Sequence, residues 1–399
     1  MHILYLHQYF VPPEGSGGTR SFEMARRWVQ WGHRVTIVTS TAHLQIGDGS
    51  RVERTSYEGV DVVVLPVPYG IEMSNAQRVR AFAAFAGQAC RWAVRLRADV
   101  VFATSTPLTI ALPAMLGASV QRVPMVFEVR DLWPELPVAI GALRNRAAIW
   151  GARLLERTAY ARSADVIALS PGMAEGVTRC GIDPRRVHVV PNACDVQSFD
   201  VDPDDARAYV RTLVPGDGPL VTYAGSFGQI NDAAWLVDVA AATEGIRVAF
   251  VGMGPGQGAI EARARAAGLL NRRVFIRQPV EKSKIPYLLR GSTIATSLFL
   301  PLPAMQHNSA NKFFDALAAA TPVAINYGGW QAALLHGTGA GLVLPQGDVR
   351  TAATALQRAA FDGAWQATAS RAAATLARTR FDRDMLARTA LDVVERAVA

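Results

Sequence analysis

Thirteen short runs rich in β-branched and aromatic residues recur along the 399 residues, separated by helical stretches. The first half carries ILYLHQYF, RVTIVTS, VDVVVLPV, DVVFATS, PMVFEVRD, DVIALS and RVHVVPN. The second half carries LVTYAGSF, RVAFVGMG, RVFIRQP, TIATSLFL, PVAINYG and GLVLPQ. Most runs are continuously apolar rather than alternating, as a strand needs when helices cover both faces of its sheet. Strands alternating with helices over this length imply βαβ units and an α/β, doubly wound architecture. The chain is long enough for two full cores. CDVQSFDVDPDDARAYVRTLVPGDGP, rich in Asp, Pro and Gly, separates the two series. It sets an expected first domain of residues 1–195 and a second of residues 196–378. The amphipathic end, residues 379–399, is expected to pack back onto the first domain. Two such halves facing each other across a cleft make that cleft the expected ligand site.

Composition narrows the partners. The net charge is +8 and the pI about 9.7, which favours phosphate-bearing ligands, nucleic acid or an anionic membrane. An Arg-rich composition is the plainer account of the same charge. No aromatic-basic motif of the RNA-binding kind is present, so nucleic acid is not expected. Cys90, Cys180 and Cys194 are far apart, without a CxxC pair, which argues against a disulfide framework or zinc site and for a reducing compartment. Met1 leads straight into a strand-like run, so no signal peptide is expected. Residues 100–120 carry no charge, but Pro107, Pro113 and the polar ATSTP read as strand, turn and helix rather than a membrane span.

Five segments carry candidate chemistry. PPEGSGGTRSFEMARRW puts glycines before a helix starting near Thr19 or Arg20, an arrangement that lets backbone N–H groups approach a phosphate. Its spacing is neither G-x-G-x-x-G nor a Walker loop, and a bare turn is the alternative. VGMGPGQGAIEARARAAG lacks the acidic residue a dinucleotide loop needs about 20 positions on, and is read as structural. FDVDPDD, with Asp200, Asp202, Asp204 and Asp205, resembles a metal-binding DxD, but its place favours an acidic loop capping the next helix. VFEVRDLWPELP sets Glu128, Arg130, Asp131 and Glu135 at the end of a strand, where open α/β sheets bind ligands; an ion-paired loop is the alternative.

The fifth segment is HNSANKFFDALAAATPVAINYGG, residues 307–329. Of 41 Lys and Arg, only Lys282, Lys284 and Lys312 are lysine. Asn308 or Ser309 is the expected cap of a helix whose first turn holds Lys312, where the helix dipole disfavours a cation. An anion bound there reverses the sign of that interaction. Asp315, one turn later, can accept hydrogen bonds from a ribose diol. A plain i,i+3 ion pair is the alternative, worth a few tenths (~0.2–0.5) of a kcal/mol; the apolar flanks argue for the ligand.

HQYFVPPEGSGGTRSFEMARRW, VRDLWPE, VVPNACD, YAGSFG and SANKFFDALAAATPVAINYGGW occur in an order that resembles the retaining GT-B glycosyltransferases of the glycogen-synthase-like family. Closest is the bacterial branch building O-antigen, capsule and colanic-acid-type polysaccharides, N-acetyl-fucosaminyltransferase-like enzymes included. The resemblance implies two Rossmann-like domains, with the nucleotide-sugar held mainly by the second. It implies that Gly17 and Gly18 lie near the donor phosphates, and that Lys312, Ser309, Asn311 and Phe313 hold the diphosphate. Asp315 would bind the ribose, and Gly225 and the loop near Val280 would lie close to the nucleotide. Asp131, Arg130 and Lys312 would serve the reaction; Arg20, Glu135 and Asn192 would lie on the acceptor side. It further implies a UDP-linked donor as substrate, no cofactor and no metal, and a polyprenyl-diphosphate-linked glycan acceptor. The setting would be the cytoplasm at the inner face of the plasma membrane. QRVRAFAAFAGQACRWAVRLR, residues 77–97, has five arginines among Phe, Trp, Leu and Val, as a helix lying on an anionic leaflet would; a packed surface helix is the alternative. The chain departs from the pattern at His307, where the family has its first glutamate, and at Asp315, where it has Glu. Arg130 replaces the usual His, and the GSFGQINDAAW loop lacks the usual Arg and Lys. A sugar-nucleotide epimerase or a non-catalytic nucleotide-sugar-binding partner are the alternative functions.

Overall fold

The computed structural model describes every residue except Glu14, Ser16, Gln45, Ile71 and Glu72. It divides into two compact units: Met1–Pro191 with Asp384–Ala399, and Asn192–Arg383.

The first unit is built on β1 (His2–Leu6), β2 (Arg34–Ser40), β3 (Glu53–Tyr57), β4 (Val60–Leu65), β5 (Val100–Thr104), β6 (Met125–Val129), β7 (Asp165–Ala168) and β8 (Val187–Val189). They lie in the order β3-β4-β2-β1-β5-β6-β7-β8, parallel except where β3 runs against β4. The second unit holds β9 (Leu220–Ala224), β10 (Arg247–Val251), β11 (Val274–Arg277), β12 (Ile294–Ser297), β13 (Val323–Ile325) and β14 (Gly341–Val343), all parallel in the order β11-β10-β9-β12-β13-β14. Both sheets reverse their winding direction once, between β1 and β5 and between β9 and β12. Ligands of such sheets bind beyond the strand C-termini at that point. Central strands such as β5 and β6 are buried at every position, which is why their sequences read as unbroken apolar runs.

Two expected boundaries move. The first crossing falls at Pro191–Asn192 rather than at 195, because Asn192 is bound into the second unit: its backbone N–H donates to Ser309 Oγ (3.0 Å) and its amide to Ser309 O (2.5 Å). The return falls at Arg383–Asp384 rather than 379. Cys194 N–H donates to Phe381 O, and Arg383 N–H donates back to Cys194 O, so residues 379–383 stay in the second unit. From Asp384 the last helix belongs to the first unit, where Trp28 Nε1 donates to Ala387 O (3.0 Å).

Local motifs resolve as follows. Residues 100–120 form β5, a short turn and the helix Ala111–Gln121, and no helix among the described residues is long and apolar enough to cross a membrane. Asp202 caps the helix Pro203–Leu213 by accepting from Asp204 and Asp205 N–H, so FDVDPDD is a capping loop. The VGMGPG glycines are packing devices: a Cβ at Gly252 would lie 2.0 Å from Gly225 O, and one at Gly254 2.7 Å from Phe227 O. Only glycine lets the loop after β10 lie this close to the loop after β9.

Glu156, on the inner side of the helix Arg146–Arg162, accepts from Tyr160 OH (3.1 Å), and burial pushes its carboxyl up to about 7. A raised acid contributes stability below its unfolded value that is lost as pH rises through about 7. Glu156→Gln keeps the acceptor and removes the charge. It is expected to raise the unfolding midpoint of the first unit at pH 8, at about 2–4 °C per kcal/mol, and to change little at about pH 4, where the carboxyl is mostly protonated folded and unfolded. An equal shift at both pH values would show that ionisation is not the cause.

Candidate functional site

In the second unit the features converge at the β9/β12 reversal. β9 ends at Ala224 and the chain turns at Gly225 with φ 120°; a Cβ there would lie 3.0 Å from Lys312 Cε and 3.3 Å from its Nζ. The glycine thus leaves the room the ammonium occupies. Lys312 stands in the first turn of the helix Asn311–Ala318, its Nζ 5.2 Å from the centroid of the Tyr223 ring. Tyr223 is fixed by its own hydroxyl donating to Ser226 O (2.8 Å). The protein around Lys312 brings its pKa down to about 8, against a smaller pull upward from Asp315. Among the described residues the ammonium makes no hydrogen bond or ion pair, so the expected alternative of a Lys312–Asp315 ion pair is not formed.

The helix start differs from expectation. Neither Asn308 nor Ser309 caps it: Ala310 holds the cap position and no side chain caps the helix. Asn308 Oδ1 instead accepts from Ala310 N (3.1 Å), and the Ser309 hydroxyl accepts from Asn192 N. Trp330 Nε1 donates to Asn308 O (2.8 Å) and holds this turn from the other side. Phe313 is fully buried against Phe314 and Trp330 and its N–H donates to Ala310 O, so it has no free group for a ligand. The N–H groups of Asn311 and Lys312 make no backbone hydrogen bond among the described residues. Two free donors and a helix dipole thus share the first turn with an unpaired cation.

Asp315 lies one turn further along. Burial pushes its carboxyl up to about 6, with Asp195 adding to the rise and Arg383, Lys282 and Lys312 opposing it. Arg383 Nε is itself 3.0 Å from Asp195 Oδ2. Val280, in the loop after β11, packs on the small cluster of Val210, Leu220 and Phe275. Asn192, expected on the acceptor side, belongs here through its bonds to Ser309.

In the first unit the reversal between β1 and β5 gathers a second group. His7 is fully enclosed beyond β1, with Nδ1 2.8 Å from Ser21 Oγ and Nε2 3.2 Å from Arg130 Nη1. A guanidinium only donates, so Nε2 accepts, and the remaining ring proton sits on Nδ1 and donates to Ser21. Burial, Arg130 and His43 hold the ring's pKa well below the usual value, so it is neutral. Arg130 N–H donates to Ser105 Oγ (3.1 Å) just past β5. Asp131 follows, its carboxyl pushed up to about 6 by burial against the opposing pull of Arg130. The sequence reading missed His7, although it opens a quoted motif, and missed Tyr223.

Three other expected residues separate from this group. Arg20, at the start of the helix Arg20–Gln30, is buried: Nε donates to Glu128 Oε1 (3.0 Å), Nη1 to Pro191 O (2.6 Å) and Nη2 to Val190 O (2.9 Å). It is tied inside the fold rather than presented to an acceptor. Glu128 is also fully buried, so this strand-end acid is structural. Glu135 opens the short helix Glu135–Ala139 and is exposed. Gly17 has φ 140° in the loop before Arg20, with Gly18 half-buried beside it; Glu14 and Ser16 of that loop lie outside the described residues.

Comparison with known proteins agrees with this architecture. Residues 15–193 match the model of a "Glycosyl transferase 4-like domain", and residues 218–362 that of "Glycosyl transferases group 1". No curated protein matches the chain. Among solved structures, the chain is similar to Anabaena Alr3699/HepE in complex with UDP and glucose, at 17% identity and TM-score 0.74, covering 99% of this chain and 100% of that one. Sucrose-phosphate synthase (tll1590) from Thermosynechococcus elongatus aligns at 16% identity and TM-score 0.79, covering 99% and 98%. WaaG, a glycosyltransferase involved in lipopolysaccharide biosynthesis, aligns at 16% and 0.71, covering 98% and 99%. These identities bear on fold alone, and the fold is the expected pair of Rossmann-like domains.

Proposed function

Since the chain is a GT-B glycosyltransferase whose two domains match the 4-like and group 1 models, we propose that it transfers a sugar, with retention, from a UDP-sugar to a lipid-linked glycan in bacterial surface polysaccharide synthesis. The observation that carries this reading is the unpaired Lys312 ammonium beside two free helix N–H groups, at the β9/β12 reversal. Lys312, with the N–H groups of Asn311 and Lys312, holds the diphosphate, and Asp315 accepts from the ribose hydroxyls. UDP complexes of Alr3699/HepE support the choice of nucleotide.

Cations and N–H groups already in place where negative charge grows on the leaving diphosphate lower the barrier without reorganisation. In the proposed step the bond from the anomeric carbon to the diphosphate oxygen breaks. A bond to the acceptor hydroxyl oxygen forms on the same face of the sugar, and the acceptor proton passes to the departing phosphate oxygen. No protein nucleophile, cofactor or metal takes part. Asp131 and Arg130 are assigned to the acceptor half of the reaction, in the first unit. The enzyme works in the cytoplasm at the inner membrane face, where such acceptors are anchored.

Calorimetric titration with UDP and with GDP, in excess EDTA and again with Mg²⁺, tests the donor assignment. UDP is expected to bind in EDTA and GDP more weakly; binding of neither would sink the reading. The pH dependence follows from the two groups that hold the donor. Lys312 loses its proton above about 8 and Asp315 gains one below about 6. Affinity for UDP-glucose, whose diphosphate does not titrate in this range, is therefore expected to peak between these values. It should fall by up to about tenfold per pH unit beyond either. Asp315→Asn should flatten the acid limb alone, and Lys312→Arg the alkaline limb alone. A level profile from pH 5 to 9 would remove both assignments.

A further inference from the structure

The helix Asn75–Arg95, expected from its composition to lie on a membrane, turns its aromatic side chains inward. Phe82 stacks on Tyr69 (5.7 Å between centroids), Phe85 is fully buried, and Trp92 lies under the Arg54 guanidinium at 5.1 Å. What this helix exposes is Val79 with Arg80, Arg91 and Arg95. The apolar surface that a bilayer would take up lies next door. The helix Ala111–Gln121 contains no charged residue, and its outer face presents Leu112, Leu116 and Val120, one turn apart; Val120 is 54% exposed. It packs against Asn75–Arg95 closely enough that a Cβ on Gly117 would lie 2.9 Å from Ala93. On its other side it packs against Arg146–Arg162, which exposes Trp150 (68%) and Leu154 (52%) one turn apart. Arg146, Arg153 and Arg157 flank that pair on the same helix.

Large apolar side chains in one contiguous exposed patch mark an interaction surface rather than ordinary scatter. Charge decides the partner. The three helices hold eight arginines and one acid, Glu156, which points inward onto Tyr160. An apolar ridge rimmed by cations without exposed acids complements an anionic leaflet: arginines meet headgroups while leucine and tryptophan enter the acyl boundary. We propose that Leu112, Leu116, Val120, Trp150 and Leu154, rimmed by Arg80, Arg91, Arg95, Arg153 and Arg157, form the face by which the first unit docks on an anionic membrane. This rests on the lipid-linked acceptor proposed above and gives that substrate class its route to the enzyme. Embedding this face holds the first unit at the surface where the acceptor's lipid is anchored.

Co-sedimentation of the full chain with phosphatidylcholine vesicles, with and without phosphatidylglycerol, tests the face. Partitioning onto the anionic vesicles is expected, with little onto the neutral ones. Leu116→Gln/Trp150→Gln should reduce it by about tenfold or more, and each of Arg91→Gln and Arg153→Gln by about fivefold, the equivalent of one arginine near a charged leaflet. Calorimetric affinity for UDP should be unchanged in all of them, which separates failure of the docking face from failure of the donor reading and shows that the variants fold. Equal binding of the parent chain to both vesicle types would overturn the proposal, as would undiminished binding of the double variant. So would a dimer in solution that the double variant converts to monomer without any vesicle binding, since the face would then belong to a second copy of the chain.

Discussion

Lys312→Ala is expected to lower turnover by about 10²–10³ at saturating donor, the loss seen when one preorganised charge-stabilising group is removed from a transition state. UDP affinity should fall with it, because in the proposed reading the same ammonium contacts the diphosphate before and during bond breaking. Stability should move the other way. In the ligand-free protein Lys312 is a cation at the positive end of a helix, with no partner and a pKa brought down to about 8. A lysine depressed in the folded state costs stability at pH 7, a cost that fades as pH rises above about 8. The alanine variant should therefore unfold at an equal or higher temperature than the parent at pH 7. Loss of activity with retained or gained stability is the signature of a group kept for the ligand. UDP release from a panel of UDP-sugars, UDP calorimetry and thermal unfolding read the three effects. Unchanged turnover and affinity would remove Lys312 from the site.

That this lysine stands in the first helical turn without an ion-pair partner among the described residues was legible in the sequence for a local reason. A cation in the first turn of an otherwise apolar helix conflicts with both the dipole and the core, and such conflicts gather where a ligand resolves them. The thirteen apolar runs were legible for a similar reason, since each becomes a parallel strand, and the central ones, such as β5 and β6, are covered on both faces. The strand that escaped is β3, ERTSY. It is an antiparallel edge whose residues are only partly buried or exposed, so it carries no apolar run. Residues whose role depends on distant partners were not legible. His7 acquires its tautomer from Arg130, 123 positions away. Asp315 acquires its raised pKa from burial and from Asp195, against the pull of Arg383 and Lys282, and all three lie near it only in the fold. Residues 77–97 show a different limit: composition gave the arginines and aromatics together, but only packing shows that Phe85 and Trp92 face inward and that the exposed apolar ridge belongs to the neighbouring helices.

Arg20 is the case where sequence context suggests a ligand contact and the structure supplies a protein one. Its guanidinium and the Glu128 carboxylate are both buried, 2.9 Å apart at closest approach, and Thr104 Oγ1 donates to the other Glu128 oxygen (2.7 Å). The same guanidinium holds the carbonyls of Val190 and Pro191, the last residues before the chain crosses into the second unit. Arg20→Ala would strand a carboxylate among β-strands and leave two carbonyls without their donors. Removing one partner of a buried pair costs about 3–5 kcal/mol, far more than the pair's net contribution. The first unit's transition in urea should shift by that amount. Replacing both partners together, Arg20→Met with Glu128→Leu, should recover a large part of the loss, because no buried charge then remains uncompensated. An acceptor-side role predicts the opposite pattern: Arg20→Ala would leave the urea transition in place and raise the acceptor KM. The double variant would then be no better than the single one. The two patterns share no outcome, so one denaturation series decides whether this arginine serves the fold or the substrate.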